Sequence, residues 1–340
     1  MVYKIGMYGG CFDPLHIGHI DCILQAAAQC ENLYLVLSYS RDRDFVPMEY
    51  RYRWLVALTK HIGNVKVLLL EDDALTKDMY NNGDYWKLGA DNVKAQIGAP
   101  IDVVFCGEDY KGNNPFEHCY PESKIIYFSR DKNSISSTMI KNDIFRYWDK
   151  LPRIAQEYFT KKILIVGGES TGKSTLVQNL ALYYNTNFVK ETGRDICEAA
   201  GGENTMVADD LHKCLIYQKI EEYEAVKGAN KILFIDTDAL ITKFYIQFLL
   251  QDKNEIDKAK ALADAITMVN RFDLVLFLEP TVSFVQDGTR NEEIARDREK
   301  YSNQIKDLLN IAGVEYHCLV GNYQHRYLKA KELIAEKFGI

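Results

Sequence analysis

Near the middle of the chain an apolar run, Lys162-Ile163-Leu164-Ile165-Val166, leads straight into Gly167-Gly168-Glu169-Ser170-Thr171-Gly172-Lys173-Ser174-Thr175. The spacing G-x-x-x-x-G-K-S leaves little freedom of fold. A loop that wraps its N–H groups round a phosphate needs a buried strand to present it and a helix N-terminus to complete it. The segment therefore predicts strand, phosphate loop and helix, set in an open parallel sheet. Lys173 is placed to reach the β- and γ-phosphates and Ser174 to hold Mg²⁺, while Gly168, Glu169, Ser170, Thr171, Gly172 and Thr175 line the nucleotide. A chance glycine turn is the competing explanation, and a strand and a lysine both in register weigh against it.

Further segments of this half carry the groups that such a loop uses. Ile232-Leu233-Phe234-Ile235-Asp236-Thr237-Asp238 ends an apolar run in two carboxylates, where a metal-holding or substrate-orienting acid sits. An ordinary strand-terminating aspartate turn explains the same residues. Lys190-Glu191-Thr192-Gly193-Arg194-Asp195 offers a base, Glu191, and a cation, Arg194. Asp287-Gly288-Thr289-Arg290 precedes the charge-dense run 291–300, which reads either as an arginine-bearing lid over a transferred phosphate or as a solvated helix.

The first half repeats the alternation of apolar runs and amphipathic stretches. Strands are expected over Tyr3 to Tyr8, Asn32 to Ser38, Val65 to Leu70, Ile101 to Cys106 and Lys124 to Phe128, with helices over Ile17 to Gln29 and Arg51 to His61. A second series of strands is expected at Lys162 to Val166, Lys231 to Ile235, Leu274 to Leu278 and Val314 to Leu319. Such alternation predicts an α/β chain with mostly parallel sheets. Leu151-Pro152 interrupts the stretch between the two series, and proline disfavours a continuing helix. The border is therefore placed at residue 155, dividing the chain into 1–155 and 156–340.

Directly after the first strand comes Gly9-Gly10-Cys11-Phe12-Asp13-Pro14-Leu15-His16-Ile17-Gly18-His19. Glycines let backbone approach a phosphate, and a following helix aims its free N–H groups at it. If Leu15 to His19 form the first helical turn, His16 and His19 share a face and can donate to a triphosphate. Ser134-Ile135-Ser136-Ser137-Thr138-Met139-Ile140-Lys141 supplies hydroxyls, a helix start and a cation suited to the opposite wall, although serines before a helix are also ordinary caps.

Composition narrows the partners. A formal net charge of −7 provides no global basic field for nucleic acid, so positive potential has to be local. The eight cysteines include no Cys-x-x-Cys pair, which favours reduced thiols in a cytoplasm over a zinc site or a disulfide framework. No apolar stretch approaches the roughly 18 residues of a membrane span, and the start lacks a signal-peptide pattern. A cytoplasmic protein without membrane or nucleic-acid partners is expected, with homo-oligomerisation left open.

Gly10-x-Phe12-Asp13-Pro14-x-His16-x-Gly18-His19, together with Ile135-Ser136-Ser137-Thr138-x-Ile140-Lys141, resembles the HxGH and ISSTxIR signatures of the nucleotidylyltransferase superfamily. Lysine stands here where that family ends its motif in arginine, so bidentate phosphate contact is lost while charge survives. A nucleotidylyltransferase followed by a P-loop kinase resembles the NadR family of bifunctional nicotinamide-nucleotide adenylyltransferase/ribosylnicotinamide kinases. The likeness extends through Glu191-x-Gly193-Arg194, Ile235-Asp236-Thr237-Asp238, Asp287-Gly288-x-Arg290 and Phe145-Arg146-Tyr147-Trp148. It continues, less strictly, in Ser40-Arg41-Asp42-Arg43, Arg53-Trp54 and Asn82-Gly83-x-Tyr85-Trp86.

The resemblance implies a Rossmann-like transferase domain and a P-loop NTPase-type kinase domain. Their substrates would be ATP, nicotinamide mononucleotide, ribosylnicotinamide and NAD, with Mg²⁺ accompanying ATP. It assigns Gly9, Gly10, Cys11, Phe12, His16, His19, Arg41, Trp86, Ser136, Thr138 and Lys141 to the transferase nucleotide. Glu191, Arg194, Asp236, Asp238 and Arg290 go to the kinase substrate, and Ser174 and Asp236 to the metal. Either Glu191 or Asp236 can serve as the kinase base. Trp86 can stack on a pyridine ring or serve as an ordinary packed aromatic. The catalytic turn begins so near Met1 that a preceding helix-turn-helix, and with it operator binding, is not expected. Two alternatives stand beside this reading. One is a phosphopantetheine adenylyltransferase joined to a dephospho-coenzyme A kinase, families that usually carry threonine at the position of His16 and lack the Ile235-Asp236-Thr237-Asp238 string. The other is a nucleotide sensor with decayed catalysis, against which intact His16, His19, Lys173 and Ser174 argue.

Overall fold

The computed structural model describes residues 3–72, 83–112, 115–129, 135–286 and 291–340. The chain divides into two compact units, Met1–Ala155 and Gln156–Ile340. Asn82, Ser134 and the string Asp287-Gly288-Thr289-Arg290 lie outside the described residues.

In the first unit β1 (Tyr3–Gly10), α1 (Ile17–Ala27), β2 (Cys30–Tyr39), α2 (Met48–Thr59), β3 (Val65–Glu71) and α3 (Gly83–Ile97) follow in order. Then come β4 (Val103–Gly107), α4 (Pro115–Cys119), β5 (Lys124–Phe128) and α5 (Ser137–Asn142), and α6 (Arg153–Phe159) crosses the division. Among the described residues the strands form a five-stranded sheet in the order β3-β2-β1-β4-β5, with every pairing parallel. The order reverses beside β1, and in such sheets ligands bind at the strand C-termini where that reversal opens a crevice. Gly9 and Gly10 close β1 at that point.

The second unit runs β6 (Lys161–Gly167), α7 (Lys173–Tyr183), β7 (Phe188–Val189), α8 (Thr192–Ala200), α9 (Ala208–Val226), β8 (Ile232–Asp236), α10 (Ala239–Leu249) and α11 (Lys253–Val269). It continues through β9 (Leu274–Leu278), α12 (Glu292–Arg296), α13 (Arg298–Ile311), β10 (His317–Leu319) and α14 (Tyr323–Phe338). The described strands again form a five-stranded parallel sheet, in the order β10-β9-β6-β8-β7. Successive strand residues point to opposite faces, and here both faces are covered. Ile163 and Ile165 pack with α7 and α14, whereas Leu164 and Val166 pack with α10 and α13. That is why the strand reads as an unbroken apolar run.

The expected strands are present with shifted ends. The clearest difference is β10, which spans His317–Leu319 and not the longer run from Val314. The Val314 N–H bonds the Leu309 carbonyl at 2.9 Å, so these residues still wrap the end of α13. The charge-dense run 291–300 is helical, forming α12 and the start of α13. Among the described residues no helix is long and apolar enough to cross a membrane.

Candidate functional site

Each unit ends its central strand in a phosphate-type loop, and each loop is built differently from the residues up. In the first unit the helix starts at Ile17, as its helical spacing suggests, and not two residues earlier at Leu15. Ile17 is the first residue of α1, and His16 is its N-cap, extended at φ −142° and ψ 168°. The two histidines nevertheless meet: their rings stack at 3.7 Å between centroids, and His19 stands edge-on to Phe12 at 5.1 Å. Gly18 makes that possible, because a Cβ there would lie 3.1 Å from two atoms of the His16 ring. The glycine between the histidines is thus a space requirement for the stacked pair.

Asp13 fixes the outside of the same turn. Its buried carboxylate accepts from the N–H groups of Phe45 and Val46 at 2.9 and 2.8 Å, and from Lys141 Nζ at 2.6 Å. The charge of Lys141 is therefore partly answered within the protein, and its side chain remains 34% exposed. Ser136 caps α5 by accepting from the Met139 N–H at 3.3 Å, and the Ser137 hydroxyl donates to the Pro14 carbonyl at 3.2 Å, so α5 is seated on the histidine turn. Thr138 is exposed beside it.

A cleft of about 1070 Å³ opens along this edge, lined by Gly9, Gly10, Cys11, Ser38, Asp72 and Trp86 among others. It matches or exceeds the ~1,000 Å³ upper range of ordinary small-molecule sites, so a dinucleotide fits it. Trp86 borders the cleft and packs edge-on against Phe116 at 5.4 Å. Arg41 stands at the surface, 3.8 Å from Glu71. Arg43, its neighbour in the same loop, donates to the buried Asp72 at 2.9 Å.

In the second unit Gly172 caps α7 at φ 87°, a left-handed conformation that side chains rarely adopt, and a Cβ there would strike the Tyr323 ring at 2.7 Å. Thr171 is fully buried and donates to the Gly168 carbonyl at 2.8 Å, and Lys173 Nζ folds back to the same carbonyl at 3.1 Å. Gly168 is buried in the loop, and Thr175 is exposed on the first turn of α7.

The acids separate in role. Asp236 closes β8 at 1% exposure beside the Ser174 hydroxyl, while its Oδ1 has no hydrogen-bond partner among the described residues. Burial, then the neighbouring Glu191, raises its carboxyl to about 6 against the pull of Lys173. Asp238 instead caps α10, accepting from the Leu240 N–H at 3.2 Å, and burial raises it to about 7. The cap engages Oδ1, while the buried Oδ2 has no hydrogen-bond partner among the described residues. Glu191 precedes α8, 3.8 Å from Arg194, and both line a cavity of about 100 Å³ with Lys173, Thr237 and Tyr245.

The positioning residues that the sequence did not mark are buried arginines. Arg51, fully buried on α2, donates to the Cys11 carbonyl at 2.6 Å and to Asp44. Arg326, 1% exposed on α14, donates to the Thr171 carbonyl, to the Glu279 carbonyl at 2.5 Å and to the Thr281 hydroxyl at 2.7 Å. Arg298 adds a bond to the Ser170 carbonyl at 3.2 Å. In each unit a buried guanidinium thus holds the loop by a carbonyl on its outer side. Arg51→Leu removes the partner of Asp44 as well, so we expect a loss of about 3–5 kcal/mol, read by chemical denaturation.

Two family models match the chain: Cytidylyltransferase-like over residues 7–143 and AAA domain over residues 162–326. The trifunctional NAD biosynthesis/regulator protein NadR of Escherichia coli (strain K12) is 31% identical over 350 residues, covering 98% of this chain and 83% of that protein. A phosphopantetheine adenylyltransferase of Streptococcus pneumoniae (strain ATCC 700669 / Spain 23F-1) is 39% identical, but over only 38% of this chain and 86% of its own. The crystal structure of a NadR protein in complex with NR superposes with a TM-score of 0.83 at 25% identity, covering 100% of this chain and 98% of that one.

Proposed function

The chain belongs to the NadR family, and on that premise we propose how its two units divide the family's chemistry. The protein transfers an adenylyl group from ATP to nicotinamide mononucleotide, giving NAD and pyrophosphate, and phosphorylates ribosylnicotinamide with ATP to give that mononucleotide. Residues 1–155 carry the first reaction and residues 156–340 the second. The observation behind this division is that each unit ends its own central strand, β1 or β6, in its own phosphate loop.

In the first unit the stacked His16 and His19, with the N–H groups at the start of α1, stabilise charge on the triphosphate as the α-phosphorus is attacked. Gly9, Gly10, Cys11 and Phe12 let the nucleotide lie against the end of β1, and Trp86 borders the space for the pyridine. Ser136, Thr138 and Lys141 supply the opposite wall, and Arg41 meets the nucleotide from the rim.

In the second unit the backbone from Gly168 to Ser174 cradles the ATP phosphates, and Lys173 leaves the Gly168 carbonyl for the β- and γ-groups. Ser174 and Asp236 suit Mg²⁺: one is a hydroxyl ligand, and the other is a buried carboxylate with an oxygen lacking any partner among the described residues. When bound, Mg²⁺ neutralises charge shared between the β- and γ-phosphates. That engagement leaves Glu191, which lines the cavity, to accept the proton of the ribose hydroxyl, with Arg194 beside it for the transferred phosphate. Asp238 contributes through the α10 cap. Arg290 remains a candidate cation for that phosphate.

Asp236 sets a pH limit. Its carboxyl sits at about 6, above its ordinary value, so it gains a proton as pH falls through that value and its charge is lost. The Mg²⁺ concentration needed for ribosylnicotinamide phosphorylation, relative to that for adenylyl transfer, should then rise as pH falls below that point, because proton and metal compete for the same carboxylate. Taking the ratio of the two requirements cancels the titration of ATP itself.

Parallel reactions with ATP and either nicotinamide mononucleotide or phosphopantetheine test the assignment. NAD and pyrophosphate from the first, with no product from the second, are expected. Adenylylated phosphopantetheine would overturn it.

A further inference from the structure

The cavity beside the second phosphate loop has a far end whose chemistry phosphate transfer does not explain. Gln218 bonds the Asp236 carbonyl at 3.1 Å, which marks the end near β8. Ile241, Tyr245 and Leu249 then follow one another along α10, away from the strand, and all three line the cavity. Glu203 and Met206 complete its wall. Glu169 reaches out from the loop, accepting from the Tyr245 hydroxyl and from the Asn291 N–H, each at 2.9 Å. Asn291 Nδ2 in turn donates to Glu203 at 2.7 Å, so one residue holds the two carboxyl groups side by side. Two buried carboxylates held so close repel, which favours a proton on one of them. Burial accordingly raises both acids, Glu169 to about 7.

Acids on a largely apolar wall are costly unless a ligand answers them. Ribosylnicotinamide is an N-glycosyl pyridinium, flat, aromatic and permanently cationic. Resting on the ribosylnicotinamide assignment above, we propose that the Glu169–Glu203 pair, with Tyr245, is the specificity element that selects the cationic pyridinium ring over a neutral ring of the same shape. The pair, singly charged while it keeps one proton, gives that proton up to solvent as the ring enters, so that two negative charges face the cation. Aromatic rings also attract cations, and Tyr245 lines the cavity beside the acids.

Other groups face the pair from each neighbouring element: Lys173 on α7, Glu191 and Arg194 at the start of α8, and Arg298 on α13, which donates to the Glu169 carbonyl at 3.5 Å. The thiol of Cys197 on α8 and the Tyr245 hydroxyl on α10 are both raised by burial and hold their protons at neutral pH. Cys214 on α9 is pushed up to about 12. The acid pair is therefore placed to exchange a proton near pH 7.

The test is calorimetric titration of the whole protein with ribosylnicotinamide and with its neutral 1,4-dihydro form, in two buffers of different ionisation enthalpy. Wild-type protein should bind the cation at least about tenfold more tightly and release protons on doing so. Its affinity for the cation should rise as pH rises through about 7, and its affinity for the neutral riboside should not. Glu203→Gln, which leaves Glu169 as a single and more readily ionised carboxylate, should reduce the preference and abolish the proton release near pH 7 while binding the neutral riboside within about twofold of wild type. The wild-type comparison stands even if that variant fails to fold. Equal affinity for the two ribosides, or binding without proton release, overturns the inference and leaves the kinase assignment intact. Failure of wild-type protein to bind either riboside overturns both.

Discussion

Lys173→Ala should lower ribosylnicotinamide phosphorylation by about a thousandfold while adenylyl transfer from ATP to nicotinamide mononucleotide stays within about twofold of wild type. Without a nucleotide Lys173 Nζ rests on the Gly168 carbonyl at 3.1 Å, a neutral and replaceable partner. Its removal breaks no ion pair at hydrogen-bond distance, and the buried Asp236, whose carboxyl it draws down, can keep a proton in its absence, so the loop should stay folded. What is lost is the cation that meets the β- and γ-phosphates, whose charge grows toward the transition state. Both activities are assayed on one preparation, so the surviving transferase reports that the chain has folded. Loss of both, with the melting temperature unchanged, would contradict the assignment of separate sites.

His19→Ala should produce the reverse pattern, a fall of about 10² to 10³-fold in adenylyl transfer with the kinase intact. The ring is a donor and also the surface on which His16 stacks at 3.7 Å and against which Phe12 packs at 5.1 Å. Substitution thus removes one donor and loosens the second. His19→Gln retains an N–H and should recover part of the rate. A kinase defect of equal size in either variant would contradict the account.

Much of this was legible because short-range patterns carry it. Ile163 to Val166 read as a strand buried on both faces, and they fill two separate cores. The glycine between His16 and His19 marked the turn, although the helix starts at Ile17 and not at Leu15. Asp238 shows a limit of the same method: the strand end was clear, but whether its acid holds substrate or caps a helix depends on where the next N–H groups fall. Arg51 and Arg326 were not legible at all. Each lies in an amphipathic stretch where an arginine reads as a solvated charge, and each is committed to a loop 40 or 155 residues away in sequence. Nothing local signals such a contact. The Glu169–Glu203 pair is hidden for the same reason, since it closes only when α10 and the start of α12 bring Tyr245 and Asn291 to the phosphate loop.

The central claim, that one chain performs two consecutive reactions at two sites, is tested most directly by supplying ribosylnicotinamide, ATP and Mg²⁺ with no mononucleotide added. The account predicts NAD after a short lag, with one ADP and one pyrophosphate formed for each NAD. Mononucleotide accumulating without NAD, or no consumption of ribosylnicotinamide at all, would contradict it.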